Sequence, residues 1–393
     1  MYSNIEIPRT PYASEEHQML KKSVDDFFLK EAVPHYEQWE KEKRVPREFW
    51  LKMGEQGFLC MDVPEEYGGA GLDFTYSALV MERARYHGID FGLGVHSDIV
   101  CPYIVNYGTE AQKQKYVTRM VTGEYIASIG MTEPSVGSDL KALKTTAKDM
   151  GDHYLINGSK TFITNGEIAH FVICACRTNV GTPDEGISLI FIDKGTSGFS
   201  VGKPFDKIGL KAQDTCELFF EDVKVPKSNL LGKEGMGFKY MMTELARERA
   251  CMAVEAVGSV AGILDKTIQY VTERKMFNKT LADFQNTQFK LADCAAELQI
   301  YQNYTDTCIK LQAEHKLHPV QASMAKLKAS EMQGKVIDEC LQLFGGYGFI
   351  WEYPVAKAYG SARVSRIYAG ASEVMKLIIS RALFREYYKK GKS

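Results

Sequence analysis

The spacing of apolar residues changes twice along this chain of 393 residues, and these two changes constrain its fold more than any other feature. From residue 14 to about 127, apolar residues recur at helical spacing, as in the Leu79-Val80-Met81 stripe. From about residue 128, short runs rich in β-branched and aromatic residues alternate with glycine and aspartate turns. Helical patterns return after Gly237 and continue to the C-terminus. The sequence therefore predicts a multidomain α+β protein in the order α, β, α.

These changes of pattern also give expected domain boundaries. We expect a helical domain over residues 1–127, a β domain over 128–237 and a second helical domain over 238–393. Thr109 and Gln112 have the spacing of a capping box, which predicts the start of a helix in the first domain. The predicted strands of the middle domain cover residues 154–156, 161–164, 171–175, 187–192 and 216–225.

Composition and charge argue against nucleic-acid and membrane partners. The formal net charge is −2 and the pI is near 6.5, so the chain lacks a basic footprint for nucleic acid. No apolar run reaches the ~18 residues that span a bilayer. The first residues lack the basic-then-apolar order of a secretory signal. We therefore expect no transmembrane segment and a cytoplasmic location, or the mitochondrial matrix for a mature eukaryotic form.

The residues that commonly bind metals do not form a convincing metal site. Nine cysteines show no repeated spacing. Cys174 and Cys176 alternate on one predicted strand, so we expect reduced, buried thiols. His315 and His318 lie in a short polar segment that is typical of a turn between helices. The sequence therefore predicts no bound metal.

Six short glycine-containing or charged segments are spread over nearly the whole chain. In chain order they are YGGAGL at 67–72, MTEPSVGSD at 131–139, GSKTFITNG at 158–166, DVKVP at 222–226, RKMF at 274–277 and QLFGGYGF at 342–349. Each alone has an ordinary explanation as a turn or packing device, because glycine readily adopts positive φ. Together and in this order, they resemble the acyl-CoA dehydrogenase family.

The resemblance has consequences for fold, cofactor and assembly. It implies an N-terminal helical domain, a middle β-barrel or sandwich domain and a C-terminal four-helix bundle. It also implies bound FAD, an acyl-CoA substrate, a homotetramer and an electron-transfer flavoprotein that accepts the electrons.

A flavin site fits the middle of the sequence. The chain lacks the glycine patterns that bind dinucleotide phosphates in Rossmann and P-loop folds. A flavin could instead lie across the domain junction, against the short side chains of the loop over residues 132–139. The resemblance implies that Phe162 packs on the flavin ring and that Thr164 bonds near its hydride-accepting nitrogen. The residues that it assigns to FAD within one subunit are Met131, Thr132, Gly137, Ser138, Phe162, Thr164, Ser372 and Glu373.

By the same resemblance, a second group of residues contacts the FAD of a neighbouring subunit. Arg274 is chemically suited to this role, because a guanidinium presents a fork of donors that matches pyrophosphate oxygens. Without the resemblance, an exposed cation at a helix end would be the more ordinary explanation. The residues of this second group are Arg274, Phe277, Gln342 and Gly346.

Dehydrogenation next to a thioester needs a base in a desolvated site. Many members of the family carry this glutamate in a C-terminal loop that reads Ile-Tyr-Glu-Gly-Thr, but this chain has IYAGA at 367–371. Ala369 therefore stands where the glutamate is usual. Long-chain and isovaleryl members instead place the glutamate on a helix of the last domain, immediately before an arginine. Glu248 and Arg249 match that pair.

Helical geometry supports Glu248 independently of the resemblance. Met241, Leu245 and Met252 lie at i−7, i−3 and i+4 from it, so its side chain projects from an apolar stripe. Desolvation there would raise the pKa of the carboxyl and make it a stronger base. Two alternatives remain open: Glu244, one turn earlier, and Glu373. An exposed Glu-Arg pair is the ordinary explanation of the same spacing.

The loop that lacks the usual glutamate keeps its backbone. The resemblance implies that the backbone N–H of Ala369 and a ribityl hydroxyl of FAD together hold the thioester carbonyl. Ala371 replaces the usual threonine and removes one hydroxyl near the FAD adenosine. The residues expected along the thioester and pantetheine path are Ser138, Tyr368, Arg249 and Gly370.

These residues predict FAD-dependent oxidation of a medium-chain or long-chain acyl-CoA to a trans-2-enoyl-CoA, a reaction of fatty acid β-oxidation. Glu248 would take the α-proton and the flavin the β-hydride. The alternatives are an oxygen-using acyl-CoA oxidase and an inactive protein that binds acyl-CoA or flavin. A carboxylate kept at position 248 on an apolar stripe favours an active enzyme.

Overall fold

The structure is a computed structural model that describes residues 8–385 and Tyr387. Its N-terminal part is helical, with π-helical turns at Val95–Val100 and Lys113–Val117. The helices are α1 (Glu15–Glu31), α2 (Tyr36–Glu42), α3 (Arg47–Glu55), α4 (Phe74–His87), α5 (Cys101–Tyr107), α6 (Glu110–Gln112) and α7 (Thr118–Val121). The predicted capping box is confirmed: the Gln112 backbone N–H donates to Thr109 Oγ1, and the Thr109 N–H donates to Gln112 Oε1.

Within the described residues, the middle part forms one eight-stranded sheet. Its strands are β1 (Ala127–Gly130), β2 (Thr146–Asp149), β3 (His153–Thr164), β4 (Phe171–Thr178), β5 (Gly186–Asp193), β6 (Phe199–Val201), β7 (Thr215–Pro226) and β8 (Leu230–Leu231). They follow the order β6-β7-β3-β2-β4-β5-β8, and β1 pairs with β4 in parallel. The alternating buried residues of these strands form a core of their own.

The sequence prediction differs from this sheet in two respects: it omits the short strands β1, β2, β6 and β8, and it divides β3. Residues 154–156 and 161–164 are predicted as separate strands, but both belong to β3. Two register shifts against β7 interrupt the pairing of β3, and Phe162 lies in the second one at a φ of 59°. A β-bulge inserts a residue without ending the strand, so it resembles a break in the sequence pattern.

Long helices return after the sheet. They are α8 (Gly237–Glu273), α9 (Gln285–Ala313), α10 (Pro319–Phe344), α11 (Pro354–Ala362) and α12 (Ser372–Leu383). A short hairpin of β9 (Lys275–Met276) and β10 (Lys279–Thr280) separates α8 from α9. Helices α8, α9, α10 and α12 pack together, which confirms the predicted order of helical, sheet and helical parts.

Two glycines allow α8 to lie directly on α4. A Cβ atom at Gly258 would be 2.4 Å from the Glu82 carbonyl oxygen, and one at Gly262 would be 2.0 Å from that of Tyr86. Side chains at these positions would force the helices apart. This contact joins the N-terminal helices to the C-terminal bundle and so fixes the position of α8 between them.

The nine cysteines, all within the described residues, are free and buried. Among the described residues, no helix is long and apolar enough to cross a bilayer. His315 lies in the turn between α9 and α10 at a φ of 54°. His318 caps α10, where its Nδ1 accepts the Val320 N–H at 3.2 Å.

Candidate active site

Glu248 lies on the buried side of α8 and its side chain is held by one tyrosine. Only 5% of its surface is exposed. Of the predicted apolar stripe on the same helix, Met241 and Met252 are buried and Leu245 is half-buried. The Tyr103 hydroxyl, on the facing helix α5, donates to Glu248 Oε1 at 3.0 Å. The carboxylate predicted as the base therefore has a fixed orientation.

Glu244, the local rival, is held in the same manner one turn earlier. Tyr107 donates to Glu244 Oε1 at 2.7 Å, and the Asn106 side-chain amide donates to the same oxygen at 3.1 Å. Because α5 and α8 run in opposite directions here, Tyr103 and Tyr107 meet Glu248 and Glu244 in register. We call these four residues the Tyr–Glu ladder.

The surroundings of Glu248 make it a weak acid. Burial raises the pKa of its carboxyl to about 7. The nearby charge of Glu244 also raises this pKa, whereas the hydrogen bond from Tyr103 and the charge of Arg249 lower it. At neutral pH, a substantial fraction of Glu248 is therefore ionised and able to accept a proton, and the carboxylate is more basic than an exposed glutamate.

Arg249 and the C-terminal loop meet at the start of α10. The Arg249 Nη1 donates to Ser323 Oγ at 3.1 Å. One turn later, the fully buried Lys326 donates from Nζ to the Gly370 carbonyl oxygen at 2.7 Å. Burial and the charge of Arg249 lower the pKa of Lys326 to about 8. This lysine fixes the loop that carries Ala369.

The loop around Ala369 has an unusual backbone. Ala369 and Gly370 have φ values of 51° and 91°, in a region that side chains disfavour. Tyr368, predicted along the substrate path, lies beside Glu255 and Arg85, and its own burial raises its pKa. Such strain often marks a position where the backbone itself has a function.

A large cavity opens beside Glu244. Its volume is about 900 Å³, which is ample for a large, flexible ligand. Arg247 lines it and forms a buried ion pair with Asp98 at 2.8 Å. The residues that contribute further cationic or polar groups to its wall are Asn106, Lys239, Thr243, Gln312 and His315.

The loop predicted to face the flavin, residues 132–139, is held to strand β3 by the buried side chain of Lys160. Lys160 on β3 donates from Nζ to Glu133 Oε1 at 2.8 Å and to the Met131 carbonyl oxygen at 3.3 Å. The Thr132 carbonyl oxygen accepts the Thr161 N–H at 2.9 Å. The loop residues Gly137 and Ser138 remain exposed, and a Cβ atom at Gly137 would meet no neighbour within 4 Å.

Phe162 and Thr164 lie at the end of β3, beside this loop. Phe162 is 66% exposed, and the only ring near it among the described residues is Phe205, at 5.5 Å. Thr164 is half-buried, and its Oγ1 accepts a hydrogen bond from the Gln213 amide at 3.1 Å. A large exposed ring held in a bulge is unusual for an isolated fold and fits a surface that a ligand covers.

The residues assigned to a neighbouring flavin lie at the far end of α8. The Lys141 Nζ, just after the loop over residues 132–139, lies 5.2 Å from the Phe238 ring at the start of α8. Arg274 follows the last residue of the same helix. At 1.5 Å per residue, about 54 Å separate these two ends. Arg274, Phe277, Gln342 and Gly346 are all exposed there.

Comparison with known protein families accounts for nearly the whole chain. The N-terminal, middle and C-terminal domains of acyl-CoA dehydrogenase match residues 14–124, 128–223 and 235–384. The chain belongs to the acyl-CoA dehydrogenase family. Its members are flavin-dependent oxidoreductases, and the resemblance inferred from the six sequence segments is confirmed.

Relatives of this acyl-CoA dehydrogenase family member have known sequences and structures. The mitochondrial long-chain specific acyl-CoA dehydrogenase of Rattus norvegicus is 44% identical over 373 residues, covering 94% of this chain and 87% of that protein. An acyl-CoA dehydrogenase from Geobacillus kaustophilus is 47% identical with a TM-score of 0.92, covering 95% and 99%. A glutaryl-CoA dehydrogenase from Mycobacterium smegmatis, solved with FADH2, is 27% identical with a TM-score of 0.89, covering 95% and 96%.

Sequence reasoning missed three features of this acyl-CoA dehydrogenase site. It did not identify Tyr103 or Tyr107, although their spacing of four places them on one helix face. It also did not identify Lys326, which looks like any helical lysine until its burial is known. These residues act through contacts that are distant in the sequence, so no local pattern could reveal them.

Proposed function

We propose that this chain oxidises acyl-CoA thioesters to trans-2-enoyl-CoA with FAD as its cofactor. One observation carries the proposal: a buried carboxylate with a raised pKa, Glu248, stands on α8 immediately before an arginine. A general base works best when its pKa lies near the working pH. The rival Glu244 accepts two hydrogen bonds at Oε1 and lines the cavity wall, which supports a role in shaping the site instead.

The residues present fit a flavin. Phe162 offers an exposed ring, Gly137 leaves open space above its backbone, and the buried hydroxyl of Ser372 has no hydrogen-bond partner among the described residues. The residues that would hold FAD within one subunit are Met131, Thr132, Gly137, Ser138, Phe162, Thr164, Ser372 and Glu373. When bound, the flavin supplies the acceptor for the β-hydride.

The chain's own residues supply the other requirements of the reaction. Glu248 takes the α-proton onto its carboxylate. The Ala369 N–H donates to the thioester carbonyl oxygen and stabilises the charge that develops there. Lys326, through its bond to the Gly370 carbonyl, holds that N–H in place. The expected lining of the thioester and pantetheine path is Ser138, Tyr368, Arg249 and Gly370.

A second copy of the chain would complete the flavin site. The residues of the second predicted flavin group are exposed near the C-terminal end of α8, where Arg274 follows its last residue and lies 5.8 Å from the Tyr347 ring. An exposed guanidinium and an exposed phenylalanine ring there fit contacts to a ligand bound by another chain. We propose that Arg274, Phe277, Gln342 and Gly346 serve a neighbour's FAD within a homotetramer.

Substrate, acceptor and location are finer parts of this proposal. The cavity of about 900 Å³ has room for a medium-chain to long-chain acyl group. The position of Glu248 on a helix of the last domain, as in long-chain members of the family, supports the same chain lengths. The expected electron acceptor is an electron-transfer flavoprotein, as the resemblance implies. The cytoplasmic or matrix location stays a prediction.

The test is an anaerobic titration of the flavin-loaded protein with saturated acyl-CoAs of increasing chain length, following the absorbance of oxidised flavin. Bleaching supports dehydrogenation, and the fastest-bleaching chain identifies the preferred substrate. Ligand binding without bleaching supports the inactive binding protein. Rapid reoxidation by air supports the oxidase. A purified protein that takes up no FAD would contradict the proposal.

A further inference from the structure

The two hydroxyls of the Tyr–Glu ladder differ in what they bind. Tyr103 is fully buried and donates to Glu248, whereas the half-buried Tyr107 donates to Glu244 and stacks on Tyr240 at 4.0 Å. Burial and the charge of Glu248 raise the pKa of Tyr103. Its hydroxyl therefore remains protonated at the pH values at which enzymes work, and it can donate a hydrogen bond. Tyr103 therefore acts as the donor in its hydrogen bond to Glu248.

This bond makes the two carboxylate oxygens of Glu248 unequal. Oε1 accepts the Tyr103 hydroxyl at 3.0 Å, and no described residue donates a hydrogen bond to Oε2. A carboxylate oxygen that already accepts a strong hydrogen bond is the poorer proton acceptor, because a new proton would compete for the same electron density. Oε2 is then the more basic oxygen.

We propose that Tyr103 is a positioning residue for the base: it holds Oε1 of Glu248 and so leaves Oε2 to take the α-proton. The proposal rests on the function proposed above and deepens it. Tyr103 touches neither substrate nor cofactor in this role. It restricts rotation of the carboxylate, so that one oxygen faces the substrate in every turnover.

Several charged or titratable groups face Glu248, and their effects differ in sign. Tyr103 comes from α5, while Glu244, Arg249 and Cys251 lie on α8 itself. Lys326 on α10 interacts with Arg249, and burial and the charge of Arg249 both lower the pKa of Lys326. Of these groups, Tyr103 is the one that donates a hydrogen bond to the Glu248 carboxylate. Removal of the Tyr103 hydroxyl therefore destabilises the ionised form of Glu248.

The experiment compares Tyr103→Phe with Tyr107→Phe in the flavin-loaded protein. Infrared spectroscopy follows the C=O band of the protonated Glu248 carboxyl against pH, and Glu248→Gln identifies that band. This readout needs no substrate. We expect Tyr103→Phe to shift the midpoint upward by about one to two pH units, the worth of one hydrogen bond to a charged group. Tyr107→Phe, whose partner is Glu244, is expected to shift it far less.

A second variant provides an independent test of the proposal if the Tyr103→Phe protein folds poorly. Fluorotyrosine incorporated at position 103 keeps the ring and the hydroxyl but makes the phenol a stronger donor. The midpoint is then expected to move downward, opposite to Tyr103→Phe. In the reductive half-reaction, the pH profile for bleaching by acyl-CoA is expected to move in the same direction as the infrared midpoint for each variant.

Two results would overturn the proposal. One is an unchanged Glu248 midpoint in both Tyr103 variants. The other is an equal shift in Tyr103→Phe and Tyr107→Phe, which would indicate a general effect of packing. Failure of the proposed function looks different: no acyl-CoA would bleach the unaltered protein, although the infrared midpoint would still respond to Tyr103.

Discussion

Lys160 and Glu133 form an ion pair beneath the loop over residues 132–139, with 2.8 Å between Nζ and Oε1. Lys160 has no exposed surface and Glu133 is 5% exposed. Glu133 also accepts the backbone N–H groups of Lys144 and Thr145. The pair therefore ties both ends of the loop to the sheet, and the loop depends on it for its shape.

Lys160→Met is expected to destabilise the fold by about 3–5 kcal/mol, because it leaves the charge of Glu133 buried without its partner. The loop would then hold flavin less tightly. Calorimetry and the flavin content after gel filtration measure both effects. Lys148→Met, an exposed site on the neighbouring strand β2, is the matched control. A Lys160→Met protein as stable as this control would contradict the assigned role.

Glu248→Gln is expected to retain FAD and acyl-CoA binding but to slow flavin reduction by about 10²-fold to about 10⁴-fold, the usual worth of a general base. Stopped-flow absorbance under anaerobic conditions measures the rate. The spectral change on ligand binding provides the control for an intact site. An unchanged rate of reduction would remove Glu248 from the role.

The same substitution is expected to change stability in a pH-dependent way. Burial raises the pKa of Glu248 to about 7, so the folded protein holds this proton more tightly than the unfolded chain. The stability from that proton is full below the unfolded pKa and is lost as pH rises through 7. Glutamine cannot ionise, so the Glu248→Gln protein gains relative stability of up to about 2 kcal/mol between about pH 5.5 and about pH 8.5.

Calorimetric unfolding of both proteins across this pH range checks the prediction. The melting temperature of the Glu248→Gln protein relative to the unaltered protein is expected to increase as the pH rises to about 7 and then to level off. A constant difference across the range would mean that Glu248 titrates as an ordinary exposed glutamate.

Glu244→Gln is expected to move the pH profile of flavin reduction to lower pH by about one unit. The negative charge of Glu244 raises the pKa of Glu248, so its removal lets Glu248 ionise at lower pH. The limb of the profile that reports Glu248 ionisation would follow. If Glu244 were itself the base, the rate would instead fall at every pH.

Arg274→Met is expected to weaken flavin retention while leaving the melting temperature of the flavin-free protein unchanged. Arg274 is exposed, and its guanidinium lies 5.8 Å from the Tyr347 ring, so little of the fold depends on it. Dialysis followed by flavin absorbance measures the loss. Lys275→Met, the adjacent exposed cation, is the control, and equal retention by the two variants would contradict the assigned contact.

The sequence predicted the order of the elements because periodicity is a local property. The helical stripes and the β-rich runs each repeat within one element, so helical, sheet and helical parts could be assigned without a structure. The bulge at Phe162 could not be predicted, because the register of β3 is set by its partner β7. Phe162 lies in that bulge and is exposed.

The candidate site was predicted only in part, for a related reason. Glu248 was identified by its apolar stripe and by the arginine that follows it, and both are local. Its hydrogen-bond donor Tyr103 is 145 positions away, and the carbonyl that Lys326 holds is 44 positions away. Contacts between distant segments require the fold, so the tuning of the base could not be inferred from the sequence.

The exposed position of Arg274 after the end of α8 has a genetic consequence under the proposed assembly. Each flavin would draw its base from one chain and its distant contacts from another. Consider a mixture of two defective chains, one altered at Glu248 and the other at Arg274. In a mixed pair, one site would carry both defects and the other would carry neither. Two impaired chains would then give more activity when produced together than either gives alone.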